Sequence, residues 1–314
     1  MFATSTKVHV VIGLGNVGRE VARQLVDEGL SVTVLTRSEP EFRVPGAHHV
    51  TGSLSDLRGL WLSIPRAGVI YNCANPPYAR WSREWPQLTR AVNAFAQSTG
   101  AVIATASNLY GYGTARSPLT EDLALRATFR NGIARANAWT ETMHLHRKGL
   151  VRAVEVRAAD FICAGDQSRM GDRVVPRVLA GKPVQLLGDV TTEHSWAFPT
   201  DVARTLIAVA NDNRGHGRAW HVPVNPPRTQ TDVVNDISNV AGVARVKVSS
   251  VPRAARNLAS MFNPVLRELR DTDFQFAKPF VVDDSAIRSN FGIEPTPWSD
   301  GLRDLVAQYE PRKK

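Results

Sequence analysis

Residues 13–18 read Gly-Leu-Gly-Asn-Val-Gly, and nothing else in the chain constrains its fold as tightly. They follow the β-branched run Val8–Ile12. They precede Arg19–Glu28, where Val21, Ala22, Leu25 and Val26 recur at helical spacing. Three glycines at this spacing between a strand and a helix have a mechanical reading. Gly13 permits the tight turn, Gly15 lets the backbone approach a diphosphate, and Gly18 lets the helix pack close to the sheet. The helix start then presents N–H groups and a positive dipole end to an anion. The expected binding residues of this loop are Gly13, Gly15, Asn16, Val17 and Gly18, and the ligand they imply is a dinucleotide.

The rest of the first half continues the rhythm. Gly29 stands where the helix should stop. Strands are predicted at Ser31–Leu35, Gly46–Val50, Val69–Asn72, Ala101–Ala106 and Val151–Arg157, with a helix over Trp85–Ser98. Strands alternating with helices imply a parallel sheet covered on both faces, an α/β Rossmann doubly wound fold. The second half is less regular. Helices are expected over Met170–Ala180 and Asp201–Asn211, from Thr229 to Val240, and from Ser299 or Asp300 to Tyr309, with a strand at Arg218–Val222. The expected organisation is a dinucleotide-binding domain over 1–165, completed by about 190–222. A smaller interleaved C-terminal substrate domain takes 166–189 and 223–314.

The end of the second strand bears on which dinucleotide. An acidic residue there would accept from the ribose hydroxyls of NAD. The chain instead runs into Thr36-Arg37-Ser38, and Arg37 can pair with a 2′-phosphate while Ser38 adds a hydrogen bond. NADP(H) is therefore expected over NAD.

Composition excludes several other classes. With 43% hydrophobic and 21% charged residues the 314-residue chain reads as globular. No apolar run reaches the ~18–20 residues of a membrane span, and Met1–Lys7 lacks the plan of a signal peptide. The two cysteines, Cys73 and Cys163, lie in apolar stretches without metal-ligand spacing, so neither a disulfide framework nor a metal site is expected. A cytoplasmic location fits. The net charge of +9 is spread along the chain, the one tight basic cluster being Arg312–Lys314. It points to a pocket that favours phosphates rather than to nucleic acid.

These motifs together resemble the extended short-chain dehydrogenase/reductase proteins, the NAD-dependent epimerase/dehydratase group, over nearly the whole length. His49-Val-Thr-Gly-Ser-Leu-Ser-Asp56 resembles the segment after the third strand, with Ser53 in the place of an Asp near the adenine. Val69-Ile-Tyr-Asn-Cys-Ala74 resembles the fourth strand, whose end passes the cofactor ribose. Thr105-Ala-Ser-Asn-Leu-Tyr-Gly111 is similar to the SSxxVYG motif. Arg157-Ala-Ala-Asp-Phe-Ile-Cys-Ala-Gly165 is similar to RxxNxYGPG. Leu187-Gly-Asp189 with His194–Ala203 resembles GDG…RDFVYVDDVA, and Phe280–Gly292 with Pro295 and Gly301-Leu302 resembles the C-terminal end. The resemblance adds Ser53, Leu54, Cys73 and Ala74 to the cofactor contacts. It implies a small-molecule substrate, nucleotide sugars being the commonest in the family, and a homodimer through two helices of the cofactor domain.

The resemblance also implies a Ser or Thr, a Tyr and a Lys for proton transfer beside the nicotinamide, and here the chain departs from the pattern. It has no YxxxK. The Ser/Thr position falls on Ala106, flanked by Thr105 and Ser107. The Tyr position falls near Asn131 and the Lys position near Arg135, and no tyrosine lies between Tyr112 and Tyr309. Three arrangements remain open. Arg135 replaces the Lys at the cofactor while Tyr110 or Ser107 handles the proton, since an arginine is too basic to serve as an acid near neutrality. Alternatively Asn131 polarises the substrate oxygen and a water carries the proton. In the third, the protein binds NADP(H) without redox turnover, as a sensor or scaffold. The catalytic candidates are thus Ser107, Tyr110, Asn131 and Arg135, for an NADP(H)-dependent oxidoreductase, epimerase or dehydratase.

Other residues carry weaker signals. His48/His49 and His144/His146 lack the i, i+4 spacing of a helical metal site and read as surface residues. His194 either borders the substrate or packs. Tyr78, Arg80 and Trp81 either line the active-site mouth or sit in a surface loop, while Trp139 and Trp196 read as packing residues. Arg253–Phe262 suggests a basic helix.

Overall fold

The computed structural model describes residues 7–64, 66–165, 168–252 and 270–310. The basic segments Arg253–Phe262 and Arg312–Lys314 lie outside the described residues. Two compact units are present: residues 1–113, 125–157 and 202–220 form the first, and 114–124, 158–201 and 221–314 the second.

The first unit is built on a seven-stranded Rossmann-like parallel sheet flanked by helices. Its strands are β1 (Val8–Ile12), β2 (Val32–Thr36), β3 (His48–Thr51), β4 (Ala67–Asn72), β5 (Val102–Asn108), β6 (Arg152–Ala158) and a last strand at Ala219–His221. The spatial order is the last strand, then β6-β5-β4-β1-β2-β3. Val10 and Val11 of β1 are wholly buried, as a strand covered on both faces must be. β1 pairs in parallel with both β2 and β4, so the chain's direction of winding reverses between β1 and β4. In open α/β sheets the crevice outside the strand ends at such a switch point is where ligands bind.

Helix α1 (Asn16–Asp27) buries Val17, Val21, Ala22 and Leu25 on the sheet. It stops at Gly29, whose φ of +74° suits glycine, with Leu30 N–H closing on the Leu25 carbonyl. Two unpredicted features appear next. A short helix α2 (Leu57–Ser63) is capped by Asp56, whose carboxylate accepts from Gly59 N–H at 2.9 Å. Helix α3 begins at Trp81, four residues earlier than expected, and runs to Thr99 with Pro86 inside it. Helix α4 (Arg130–Arg147) buries Asn131, Gly132, Ala134, Arg135, Thr142 and Met143. That face has no apolar stripe to betray it.

The second unit pairs a strand at Asp160–Phe161 with one at Trp196–Ala197, and Val184–Leu186 with Val248–Ser250. Its core gathers Met170, Val174, Val178, Trp196, Phe198, Val233, Ile237, Phe276, Leu302 and Leu305. The helix beginning after Thr229 is held by a reciprocal capping box with Asp232. The helix expected over Met170–Ala180 shrinks to Val175–Leu179. Gly171 lies so near residues 163–165 that a Cβ there would meet the Gly165 carbonyl oxygen at 2.4 Å, and Pro176 favours a fresh helix start. The last helix spans Trp298–Ala307, with Pro297 rather than Ser299 at its cap. Among the described residues no helix is long and apolar enough to cross a membrane.

Candidate active site

The glycine loop closes the end of β1 at the switch point. Gly13 has a φ of +87°, and its N–H donates to the Leu35 carbonyl at 2.9 Å. A Cβ on Gly13 would lie 2.8 Å from Ala74 Cα, so the loop packs directly on the end of β4. A Cβ on Gly15 would meet nothing within 4 Å. Gly15 is the N-cap of α1, no side chain caps the helix, and its first turn holds no acidic residue. The helix start therefore keeps its positive end open toward the space beside Gly15. Asn16 and Val17 follow in the first turn.

Of the other expected cofactor residues, Cys73 and Ala74 adjoin this loop. Cys73 N–H donates to the Ile12 carbonyl, tying β4 to β1, and desolvation pushes its thiol up to about 12, so it stays neutral. Ser53 is exposed and its hydroxyl accepts from Ser55 N–H, while Leu54 packs on the sheet core. Arg37 follows directly on β2, with its side chain 80% exposed and Nη1 3.9 Å from Glu84. Ser38 beside it is exposed as well.

The catalytic candidates gather around the end of β5. Ser107 is buried. Tyr110 is half-buried within an aromatic group, its ring centroid 5.9 Å from both Trp81 and Phe129 and 6.4 Å from Tyr78. Asn131 donates through Nδ2 to the Tyr78 carbonyl at 3.3 Å. Arg135 donates through Nη2 to the Ala106 carbonyl at 2.7 Å, and its guanidinium lies 4.0 Å from the Trp85 ring centroid. Desolvation lowers the Arg135 pKa to about 10, which still leaves a cation at neutral pH. Trp81 is a buried packing residue bonded to the Pro76 carbonyl, whereas Arg80 is exposed beside Glu84.

Sequence reasoning missed the polar interior next to these residues. Arg157 and Glu155, both buried on β6, pair at 2.7 Å, and Arg157 Nη1 donates to the Tyr112 hydroxyl at 2.8 Å. Charged residues inside a strand otherwise made of Ala and Val were the available signal.

The model of the NAD dependent epimerase/dehydratase family matches residues 9–222, two thirds of the chain. The chain belongs to that family. Solved structures bear the same fold. The UDP-glucose 4-epimerase of Thermotoga maritima, determined with UDP-glucose, has a TM-score of 0.77 at 16% identity, covering 96% of this chain and 98% of that one. The dTDP-glucose 4,6-dehydratase of Bacillus anthracis, determined with NAD, has a TM-score of 0.75 at 16% identity, covering 96% of each. An epimerase of Methanothermobacter thermautotrophicus reaches 0.79 at 17%, covering 96% and 92%. No curated protein matches the sequence.

In the second unit of this epimerase/dehydratase chain, His194 is wholly buried, stacked between Phe276 at 4.3 Å and Phe280 at 5.5 Å. Its role is packing, and its ring offers no surface to a substrate. Nε2 lies 3.4 Å from Asp160 Oδ2, within reach of charge attraction but off the angle of a hydrogen bond. Arg169 approaches the same oxygen at 3.7 Å. Burial alone would raise the Asp160 carboxyl, but His194 and Arg169 outweigh it and hold the group below the usual carboxylate range. The other histidines stay apart: His48 is exposed, and His146 accepts from Ala153 N–H at 3.2 Å. Among the described residues no three metal-ligating side chains cluster.

Proposed function

We propose that this chain binds NADP(H) at the switch point of its first unit and interconverts a carbonyl and a hydroxyl of a small metabolite, as an oxidoreductase, epimerase or dehydratase. One observation carries the reading: the loop is packed tight at Gly13 and open at Gly15, beside an uncapped helix start. A side chain at either glycine would fill that cradle or distort it, and such a cradle fits a diphosphate. The bound nicotinamide supplies hydride transfer. The chain's own residues do the rest. Backbone N–H groups of α1 grip the diphosphate, with Gly15, Asn16, Val17 and Gly18 lining the approach. Arg37 and Ser38 take the 2′-phosphate. Ser53, Leu54, Cys73 and Ala74 flank the adenosine side.

The proton falls to the hydroxyls at the end of β5, Tyr110 and Ser107. Asn131 has no acidic proton to supply, and Arg135 is a buried cation held by the Ala106 carbonyl and the Trp85 ring. The substrate class follows the structural relatives, a dTDP-glucose dehydratase and a UDP-glucose epimerase, and is a nucleoside-diphosphate sugar. A second reading has its own support. Asn131 and Arg135, at the family's Tyr and Lys positions, are bonded to the carbonyls of Tyr78 and Ala106. That arrangement favours a protein that binds NADP(H) without turning it over.

The test is a fluorescence titration of NADPH and NADH, followed by a panel of carbonyl compounds that includes nucleotide-linked keto sugars. Turnover that falls in Tyr110→Phe supports the enzyme. Tight NADPH binding with no turnover on any compound supports the binding protein. Absence of binding by either cofactor overturns both.

A further inference from the structure

Beneath the end of β5, the first unit contains an internal cavity of about 10 Å³ between the sheet, α3 and α4. Its lining is unusually polar for a sheet–helix interface. Four lining side chains each present a buried polar atom with no hydrogen-bond partner among the described residues: Asn72 Oδ1, Trp85 Nε1, Asn93 Nδ2 and Arg135 Nε. All four residues are at most 5% exposed. An unsatisfied buried donor or acceptor costs about 1–3 kcal/mol, so four around one cavity demand a common partner.

The chemistry of the lining selects that partner. Three N–H donors, one of them on the Arg135 guanidinium, reject a metal cation. The Asn72 carbonyl oxygen and the Glu155 carboxylate, which also lines the cavity, reject an anion. What remains is a neutral group that both accepts and donates. The space admits about one sphere of water size, the threshold for an internal water. We propose that this chamber is a built binding site for a single internal water molecule. The water accepts from two of the three N–H groups and donates to Asn72 Oδ1 and toward Glu155. It links β4, α3, α4 and β6 through side chains that no hydrophobic contact would hold in place. The proposal is independent of the cofactor reading.

The site explains why the Arg135 side chain is turned inward. Nη2 is fixed by the Ala106 carbonyl, the guanidinium face by Trp85, and Nε by the water.

High-resolution crystals of the full chain supply the test, with a second crystal soaked in sodium bromide. The expected result is one water peak within hydrogen-bond distance of Asn72 Oδ1 and of at least two of the three nitrogens, with no bromine anomalous signal there. A bromine peak would make the site an anion site, and a chamber without density would make it dry; either overturns the proposal. In solution, oxygen-17 relaxation dispersion counts long-lived waters. Asn93→Leu, which removes a donor and fills the space, is expected to lower that count by one. An unchanged count in a folded Asn93→Leu variant contradicts the assignment. If that variant does not fold, the dispersion and crystal measurements on the parent chain decide.

Discussion

Gly18 packs so closely on Gly13 that a Cβ at position 18 would lie 2.0 Å from the Gly13 carbonyl oxygen. The first turn of α1 is thereby locked against the end of β1, and the loop's shape is set before any ligand arrives. Gly18→Ala is expected to destabilise the fold by roughly 1–3 kcal/mol, because either helix or loop must shift to admit the methyl group. Urea denaturation followed by circular dichroism checks this. A variant as stable as the parent would mean that the helix can slide and that the loop is not pre-formed.

The proposed preference for NADP(H) rests on Arg37. It stands 80% exposed, with the Glu84 carboxylate 3.9 Å away. Arg37→Ala is expected to weaken NADPH roughly 10- to 100-fold, the worth of a charge-assisted bond to phosphate, and to leave NADH unchanged. Glu84→Gln should strengthen NADPH by removing the competing charge. Both are read by fluorescence titration at one fixed salt concentration, since exposed charges are screened. A preference for NADH that Arg37→Ala leaves untouched would assign the site to NAD.

The residues of the loop were legible because a backbone demand dictates their identity. Only glycine serves where φ is +87° or where a Cβ would strike Ala74. The strands and the capped helix after Thr229 were legible for similar reasons of local chemistry. Helix α4 was not, because its buried face consists of Asn131, Gly132, Ala134, Arg135 and Thr142 with one large apolar residue, Met143. Periodicity of apolar residues says nothing about a polar interior. Asn72 of β4, Trp85 and Asn93 of α3 and Arg135 of α4 converge from three separate elements, a juxtaposition that only the fold reveals. His194 has the same history: its burial depends on Phe276 and Phe280, some eighty residues further along.

Asp160 gives the second unit a dependence on acidity. Its folded pKa is held down by His194 and Arg169 against the effect of burial. In acid the unfolded chain then binds the proton more readily than the folded one. The stabilisation is complete above the unfolded carboxylate value of about 3.9 and is lost as pH falls through the folded value. Asp160→Asn is therefore expected to be less stable than the parent near neutral pH, with the gap closing as pH falls through the folded carboxylate's value. Denaturation curves across that range test it, and a gap independent of pH would show that the carboxylate's charge contributes nothing.

Gly15→Asp tests the central claim most directly. The conformation at Gly15 is open to any residue, its Cβ meets no atom within 4 Å, and an aspartate is a preferred helix N-cap. The variant is thus expected to fold with equal or greater thermal stability. Its carboxylate would occupy the cradle and repel the diphosphate, weakening NADPH by roughly 100-fold or more. Full stability with binding abolished is the predicted result. A stable variant that binds NADPH as the parent does would show that the dinucleotide, if it binds at all, does not sit on this loop.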